Sequence, residues 1–192
     1  MPRAKAFDPD VVLERAVELF WQLGYDGASM AKLLAAMKIS RQSLYDTFGD
    51  KHTLFLLAID RYRERTGDGI EAMLAEAETP LSGIRACFDR VLREVIDRPE
   101  YRSCFMANSA LELGQRDPEV RERVGAHLSR VEGLMHGALE QAQARGELTA
   151  DREPRDLARL LTTTIHGIGI MARGGVPPEQ LRASVNAALG AI

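Results

Sequence analysis

The sequence has few of the features that mark secreted, membrane-spanning or strand-rich proteins. It contains two cysteines, Cys87 and Cys104, which is too few for a disulfide framework. No apolar run approaches the ~18 residues that a membrane span needs, and the first ten residues lack the apolar segment of a secretory signal. The alternation typical of strands is almost absent. These absences predict an α-helical, cytoplasmic protein that does not associate with membranes.

The overall charge is also low, and it does not by itself favour a nucleic-acid partner. Hydrophobic residues make up 45% and charged residues 28% of the 192 residues, the balance of a soluble globular protein, and the net charge is −3. Residues 1–65 carry a net charge of +1, whereas residues 66–192 carry −4. This asymmetry allows a small basic surface at the N-terminal end. Any prediction of DNA binding therefore depends on a motif rather than on composition.

Helical periodicity runs through most of the chain and predicts an all-α fold of about nine helices. Capping residues and prolines mark the expected starts, and glycines mark several of the expected ends. The starts are Asp8-Pro9, Ser29, Ser40, Asp50, Thr79-Pro80, residue 103, Asp117-Pro118, Pro154 and Pro177-Pro178. Expected ends are Gly24, Met37, Gly49, the segment near Arg98 before Pro99, Gly146 and Gly174-Gly175.

The helices fall into two predicted parts. Residues 1–50 form a helix-turn-helix DNA-binding domain of three helices. Residues 51–192 form an effector-binding and dimerisation domain, and a helix over 51–78 connects the two. Because the boundary lies within a long helix, we expect the two parts to be rigidly joined.

Two short capped helices flanked by supporting helices predict a helix-turn-helix. The turn is Met37-Lys38-Ile39-Ser40, and the following helix is expected to enter the major groove with its N-terminal end. Leu44 and Phe48, four residues apart, are predicted to point into the core.

The polar residues around this turn suit contacts to DNA. Arg41 can bond guanine, Gln42 can bond adenine, and the hydroxyls of Ser43 and Tyr45 suit phosphate oxygens. Lys51, in the first turn of the next helix, adds its charge to the helix dipole. The alternative is that these are ordinary solvated side chains of a small helical protein. The full set of predicted DNA-binding residues is Ser29, Lys32, Ser40, Arg41, Gln42, Ser43, Tyr45 and Lys51.

The segment FWQLGYDGASMAKLLAAMKISRQSLYDTFGDKHTLF resembles the signature of the TetR/AcrR regulator family, and the resemblance extends over residues 8–62. It implies a nine-helix fold, dimerisation and repression, with Tyr45 and Lys51 on phosphates and Arg41, Gln42 and Ser43 facing the groove. Two positions depart from the pattern: Lys38 stands where a turn glycine is common, and Gln42 where a small residue is common. The second departure suggests a distinct operator sequence. The residues that carry the resemblance are Phe20-Trp21, Gly24-Tyr25, Ser29, Ile39-Ser40, Leu44-Tyr45, Phe48, Lys51 and Leu54.

The helix over residues 157–172 is mostly apolar or small and has little charge on any face. A helix on the outside of a monomer is expected to carry a charged face, so we predict a homodimer interface here, completed by the last helix. The alternative is a helix buried within one chain. The predicted interface residues are Leu161, Ile165, Ile168, Leu181, Val185 and Leu189.

By the same resemblance, the middle helices are expected to enclose an effector pocket lined by Phe88, Cys104, Phe105, Asn108, Met135 and His166. Plain core packing is the alternative for each. Asn108 needs a hydrogen-bonding partner if it is buried. Cys104 begins a helix, which can lower a thiol pKa and so suggests a thiol sensor; a soft-metal ligand and a small buried apolar residue are the other interpretations.

We therefore expect a repressor that binds an inverted-repeat operator as a homodimer and is released by a small-molecule or oxidant effector. No cofactor, metal or enzymatic activity is predicted, because the four histidines are scattered without a catalytic motif. A helical small-molecule carrier or enzyme that does not bind DNA is the rival interpretation. An activator or an architectural DNA-binding protein is a third.

Overall fold

The computed structural model describes residues 7–97 and 104–192, and the described residues form nine α-helices and no strand. The all-α prediction is therefore confirmed. Arg98, Pro99 and the predicted helix start at residue 103 lie outside the described residues. The helices are α1 (Pro9–Gly27), α2 (Met30–Met37), α3 (Arg41–Phe48), α4 (Lys51–Glu76), α5 (Pro80–Asp97), α6 (Phe105–Leu113), α7 (Pro118–Ala144), α8 (Pro154–Arg173) and α9 (Pro178–Leu189).

The predicted N-caps of the first four helices are confirmed, because each side chain accepts a backbone N–H of its own first turn. The Oγ atom of Ser29 lies 3.3 Å from the amide of Lys32. Asp8 and Asp50 accept in the same way from Asp10 and Thr53, both over short distances. These bonds satisfy donors that would otherwise be unpaired at a helix start.

The end of α1 differs from the prediction. Gly24 was expected to end this helix, but it only interrupts it: Gly24 adopts φ 72° and ψ 178°, and the helix resumes and continues to Gly27. A Cβ atom at this position would lie 2.6 Å from the Oε2 atom of Glu112. Glycine is therefore required here both by the left-handed φ and by the close approach of α6.

Two hydrophobic clusters make up the core of the described residues, and α4 contributes to both. The N-terminal cluster joins α1–α3 and the first half of α4 to Phe105 of α6 and Val120 of α7. The C-terminal cluster joins Ile70 of α4 to α5, α8, α9 and the later part of α7. Because α4 and α7 span both clusters, the predicted DNA-binding end is packed directly against the rest of the chain. None of the helices in the described part of the chain combines the length and apolar character that a membrane crossing requires.

Candidate DNA-reading helix and effector cavity

Helix α3 lies on the surface with its apolar side inward and its polar side outward. Leu44 is fully buried and Phe48 nearly so, and both belong to the N-terminal cluster. Arg41 and Gln42 are exposed, and Tyr45 keeps 46% of its surface accessible. The helix is therefore anchored by its inner face and presents its first turn to whatever binds there.

The turn before α3 is shaped by a non-glycine residue in a glycine conformation. Lys38 adopts φ 58° and ψ 42°, in the left-handed region, and its amide bonds the carbonyl of Leu34. The departure from the family pattern is thus tolerated at this turn. Ser40 then caps α3: its Oγ atom accepts from the amide of Ser43 at 3.1 Å and lies 2.9 Å from the Ser43 Oγ atom.

The outward side chains differ in how freely they can move. Arg41 makes no ion pair within the described parts of the chain, so its guanidinium is available to an incoming partner. Gln42 donates from Nε2 to Oδ1 of Asp46 at 2.7 Å. This bond uses one of the two Nε2 hydrogens and restricts the side chain, while the other hydrogen and Oε1 can still contact a base.

The other candidate phosphate contacts flank α3. Lys32, at the start of α2, donates from Nζ to the carbonyl of Gly27 at 3.1 Å. Lys51, at the start of α4, places Nζ 4.4 Å from the centre of the Tyr25 ring. A cation over an aromatic face is held by the ring quadrupole, so Lys51 has a defined position beside the N-terminus of α4.

Helix α6 and the loop after it hold this DNA-binding end in place. Glu112 accepts from the backbone amides of Tyr25 and Asp26, each at 2.8 Å, just after the break at Gly24. Arg116 adds an ion pair to Asp26 at 2.7 Å. Glu112 and Arg116 therefore join α6 and the loop after it to the end of α1.

A cavity of about 420 Å³ lies between the two hydrophobic clusters. It reaches from Trp21 and Tyr62 at the DNA-binding end to Val131 and Ile165 of the C-terminal cluster. Charged side chains also line it, including Arg65. The cavity thus contacts α1 and α4 as well as the later helices, which a ligand site coupled to α3 would need.

The structure separates the six residues that were predicted to line an effector pocket. Cys104 and His166 line this cavity. Phe88, Phe105 and Met135 are fully buried in the clusters and are not among the lining residues, because they pack against other core side chains. Asn108 lines a separate, more open depression beside Gly24.

Within the cavity, side chains of α7, of α8 and of the residue just before α6 meet. One potential ligand atom from each of Cys104, His127 and His166 lies within 4.8 Å of the other two. The His127 and His166 rings are 5.6 Å apart between centroids, and the Tyr62 hydroxyl lies 3.9 Å from the Cys104 Sγ atom. Sequence reasoning missed His127, although it occupies a core position of α7 with Val124 and Val131, and that placement of a histidine was the available signal.

His127 is buried and His166 is half-buried, and three of their ring nitrogens lack the partners that such atoms normally have. His127 is 1% exposed, and neither of its ring nitrogens has a hydrogen-bond partner among residues 7–97 and 104–192; the same holds for Nε2 of His166. Leaving a buried polar group unpaired costs about 1–3 kcal/mol. Burial, together with the nearby His166 ring, lowers the pKa of His127 to about 4, and burial lowers the pKa of His166. Both rings are therefore uncharged at neutral pH.

The surroundings of Cys104 differ from those expected of an oxidant sensor. The position just before α6 was expected to lower its thiol pKa, but burial raises that pKa and outweighs the hydrogen bonds from the amides of Ala107 and Met106. A thiol rather than a thiolate is favoured, and the thiol is the less reactive form. A thiol held in this form is poorly suited to sensing oxidants.

The predicted dimer interface also needs correction. Leu161, Ile168, Leu181, Val185 and Leu189 are at most 6% exposed, because they pack within their own chain in the C-terminal cluster. Ile165 is partly buried and lines the cavity. Side chains already covered by their own chain have almost no surface left for a partner. The exposed apolar residues of α8 lie elsewhere on the helix: Leu160, Ile170 and Met171.

Comparison with known families matches both halves of the chain. The family model described as bacterial regulatory proteins, tetR family, matches residues 12–58. The model described as tetracyclin repressor-like, C-terminal domain, matches residues 80–188. The first match contains α2 and α3, and the second contains most of the residues that line the cavity on the side of α5–α8.

Individual relatives are similar over nearly their whole length. The chain is 32% identical to the HTH-type transcriptional regulator YezE of Bacillus subtilis, covering 100% of both chains. It is 32% identical to the HTH-type transcriptional repressor ComR of Escherichia coli, over 93% of this chain and 86% of that one. Among solved structures, a cysteine mutant of the TetR family regulator CifR, complexed with 26 bp double-strand operator DNA, matches with a TM-score of 0.81 and 32% identity. That match covers 97% of this chain and 98% of the other.

These relatives are transcriptional regulators rather than enzymes, and the likeness includes the outward-facing α3 as well as the helices around the cavity. The chain belongs to the TetR family of DNA-binding transcriptional regulators.

Proposed function

We propose that the protein is a repressor that binds an inverted-repeat operator through α3 and leaves it when a small ligand occupies the cavity. The observation that carries this proposal is the presentation of α3: its apolar side is buried and the side chains of its first turn are exposed. An operator-bound relative of the same fold and a relative named as a repressor support it.

The contacts to DNA divide into reading and positioning. Arg41 and Gln42 read base edges in the major groove, Arg41 by a bidentate bond to guanine and Gln42 by one to adenine. Phosphate contacts fix the register of the helix and carry no sequence information of their own. They come from the hydroxyl, ammonium and helix-start groups of Ser29, Lys32, Ser40, Ser43, Tyr45 and Lys51.

An inverted repeat requires two copies of α3 about 34–36 Å apart, one turn of the duplex. We infer a homodimer that associates through the outward face of α8 rather than through the residues first predicted. Leu160, Ile170 and Met171 are each 39–48% exposed, and Gly167 between them allows another helix to approach closely. Association of two such faces would cover apolar surface that a single chain leaves in water.

The position of the cavity next to α1 and α6 explains how a ligand could release the protein from the operator. Trp21 of α1 lines it, and α6, which begins beside it, ends at the clamp from Glu112 to the end of α1. A ligand shifts the protein toward the conformation to which it binds more tightly. A ligand that prefers a shifted α6 would therefore favour a spacing of the two α3 helices that no longer fits the operator.

The test begins with duplexes enriched from a random library by the purified full chain. Fluorescence anisotropy then gives the affinity of Arg41→Ala and Tyr45→Phe for the enriched duplex, with Arg85→Ala on the exposed surface of α5 as the matched control. We expect Arg41→Ala to weaken binding about 10- to 100-fold, as loss of a bidentate base contact does, and Arg85→Ala to leave it unchanged. Equal affinities for all three variants, or no enrichment of any duplex, would overturn the proposal.

A further inference from the structure

We propose that Cys104, His127 and His166 form a metal site in the cavity for a thiophilic ion, Cu(I) or Zn(II), and that this ion is the effector. The effector role rests on the proposed function, whereas the metal site stands without it. The inference starts from the three ligand atoms that lie within 4.8 Å of one another.

The spacing of these atoms is close to what coordination needs. Metal–sulfur bonds of about 2.3 Å and metal–nitrogen bonds of about 2.0–2.1 Å place the ligand atoms of a trigonal site about 3.6–3.8 Å apart. Closing from 4.8 Å to that separation takes about 1 Å, which small side-chain rotations supply. The ligands come from the start of α6, from α7 and from α8, so an ion would bridge three helices.

Burial points to a ligand at this place. His127 is 1% exposed and lines the cavity, and both of its ring nitrogens lack a hydrogen-bond partner within the described residues, as does Nε2 of His166. Buried imidazoles ordinarily have such partners. An ion would occupy one nitrogen of each ring and so remove most of this deficit.

The chemistry of the donor set selects the ion. Thiolate prefers soft metal ions, and imidazole binds copper and zinc well. On binding, the Cys104 thiol releases its proton to solvent and coordinates as the thiolate. One thiolate and two neutral imidazoles make an uncharged site with Cu(I), which avoids burying a net charge beside His127. Zn(II) would need a fourth ligand, and the Tyr62 hydroxyl, 3.9 Å from the Cys104 Sγ atom, is near enough to approach it.

The same site is connected to the DNA-binding end. Cys104 precedes the first residue of α6, and Glu112 lies eight residues later on that helix, about 12 Å along its axis. Drawing Cys104 toward His127 and His166 would shift α6. Glu112 would move with it, and it holds the amides of Tyr25 and Asp26.

The metal site is tested by titrating the reduced, metal-free full chain anaerobically with Cu(I) or Zn(II) against a competing chelator. In a parallel titration, Co(II) replaces Zn(II) as a spectroscopic probe of the ligands. We expect one ion per chain, a thiolate-to-Co(II) charge-transfer band, and affinity at least ~100-fold weaker in Cys104→Ser, His127→Gln and His166→Gln. Cys87→Ser, in the same cavity, and His136→Gln, on α7, are the matched controls and should bind like the wild type. No binding, or binding that the three ligand variants retain, would overturn the site.

The effector role is tested with the enriched duplex. The ion should weaken DNA binding by the wild type at least tenfold and leave binding by a folded Cys104→Ser protein unchanged. DNA binding that one bound equivalent does not alter would overturn the effector role while the titration upholds the site. Failure of both metal-free and metal-loaded protein to bind any duplex would instead overturn the proposed function. Circular dichroism of every variant identifies any that do not fold, and His166→Asn then replaces a misfolded His166→Gln.

Discussion

The polar side chains that hold the DNA-binding end make hydrogen bonds within the chain, whereas buried histidine nitrogens in the cavity make none within the described residues. At the DNA-binding end, Ser29, Ser40 and Asp50 each accept a backbone N–H from their own helix, and Glu112 accepts two more. In the cavity, His127 is buried more deeply than any of these, yet neither ring nitrogen has a partner within the described residues. The polar groups of the first region are paired within the chain, whereas the histidine nitrogens of the second are left able to bind a ligand.

This difference has an energetic meaning. Capped helices over a closed apolar core fix α3 in one orientation, which base reading requires. Unpaired polar groups in the cavity lower the stability of the ligand-free state, and a ligand that pairs them gains the same free energy on binding. The predictions below separate the two regions by the sign and size of their effects on the free energy of unfolding.

The largest effect is expected in the core beneath α3. Leu44→Ala removes a fully buried side chain from the N-terminal cluster and should lower the free energy of unfolding by about 2–5 kcal/mol. Urea denaturation measures it, with Leu111→Ala as control, since Leu111 is 78% exposed. Equal losses in the two variants would contradict the described burial of α3.

The two hydrogen bonds from Glu112 of α6 to the end of α1 should contribute less to the free energy of unfolding than the core does. Glu112→Ala removes the acceptor of two backbone N–H groups and should lower the free energy of unfolding by about 1.5–3 kcal/mol. Hydrogen exchange should also show faster opening of the end of α1, near Tyr25. Glu122→Ala, on the exposed side of α7, is the control. An unchanged exchange rate at Tyr25 would show that the clamp does not hold this segment.

In the cavity, removing a polar side chain should raise the free energy of unfolding rather than lower it. His127→Leu replaces an unpaired buried ring by an apolar side chain and should raise the free energy of unfolding of chelator-treated protein by about 1–2 kcal/mol. His136→Leu on the same helix should bring no such gain, because His136 lies 3.6 Å from Glu140 and loses that pairing. A loss of stability in His127→Leu would mean that the ring has a partner and that the contrast between the regions is mistaken.

The smallest effect is expected from a single cap. Ser40→Ala removes the acceptor for the Ser43 amide and should cost about 1 kcal/mol. Ser129→Ala, within α7, should change the free energy of unfolding by less than about 0.5 kcal/mol. If both variants unfold at the same urea concentration, the cap contributes nothing to the position of α3.

The same contrast explains what the sequence could predict. Helix starts depend on one side chain and its own backbone, so Ser29, Ser40 and Asp50 were identified as caps from the sequence. The break at Gly24 was located, but not the continuation of α1 to Gly27, because that depends on Glu112, 88 residues away, whose carboxylate holds the resumed segment.

The cavity and the dimer interface were harder to predict from the sequence, because both depend on how helices distant in sequence pack together. Helix α8 is apolar on most of its circumference, so its sequence does not distinguish a face buried within the chain, such as Leu161, from one that is exposed, such as Leu160. The helix start at Cys104 suggested that its thiol pKa could be lowered, but burial raises that pKa. His127 and His166 come together only through the packing of α7 on α8.

The central claim is that the outward side chains of α3 read the operator, and base preference tests it most directly. Duplexes enriched by the wild type and by Arg41→Ala should share an inverted repeat whose half-site centres lie about one turn apart. The account predicts that Arg41→Ala loses its preference for guanine at one position in each half-site while the other positions keep theirs. An unchanged preference at every position, with α3 intact, would contradict it.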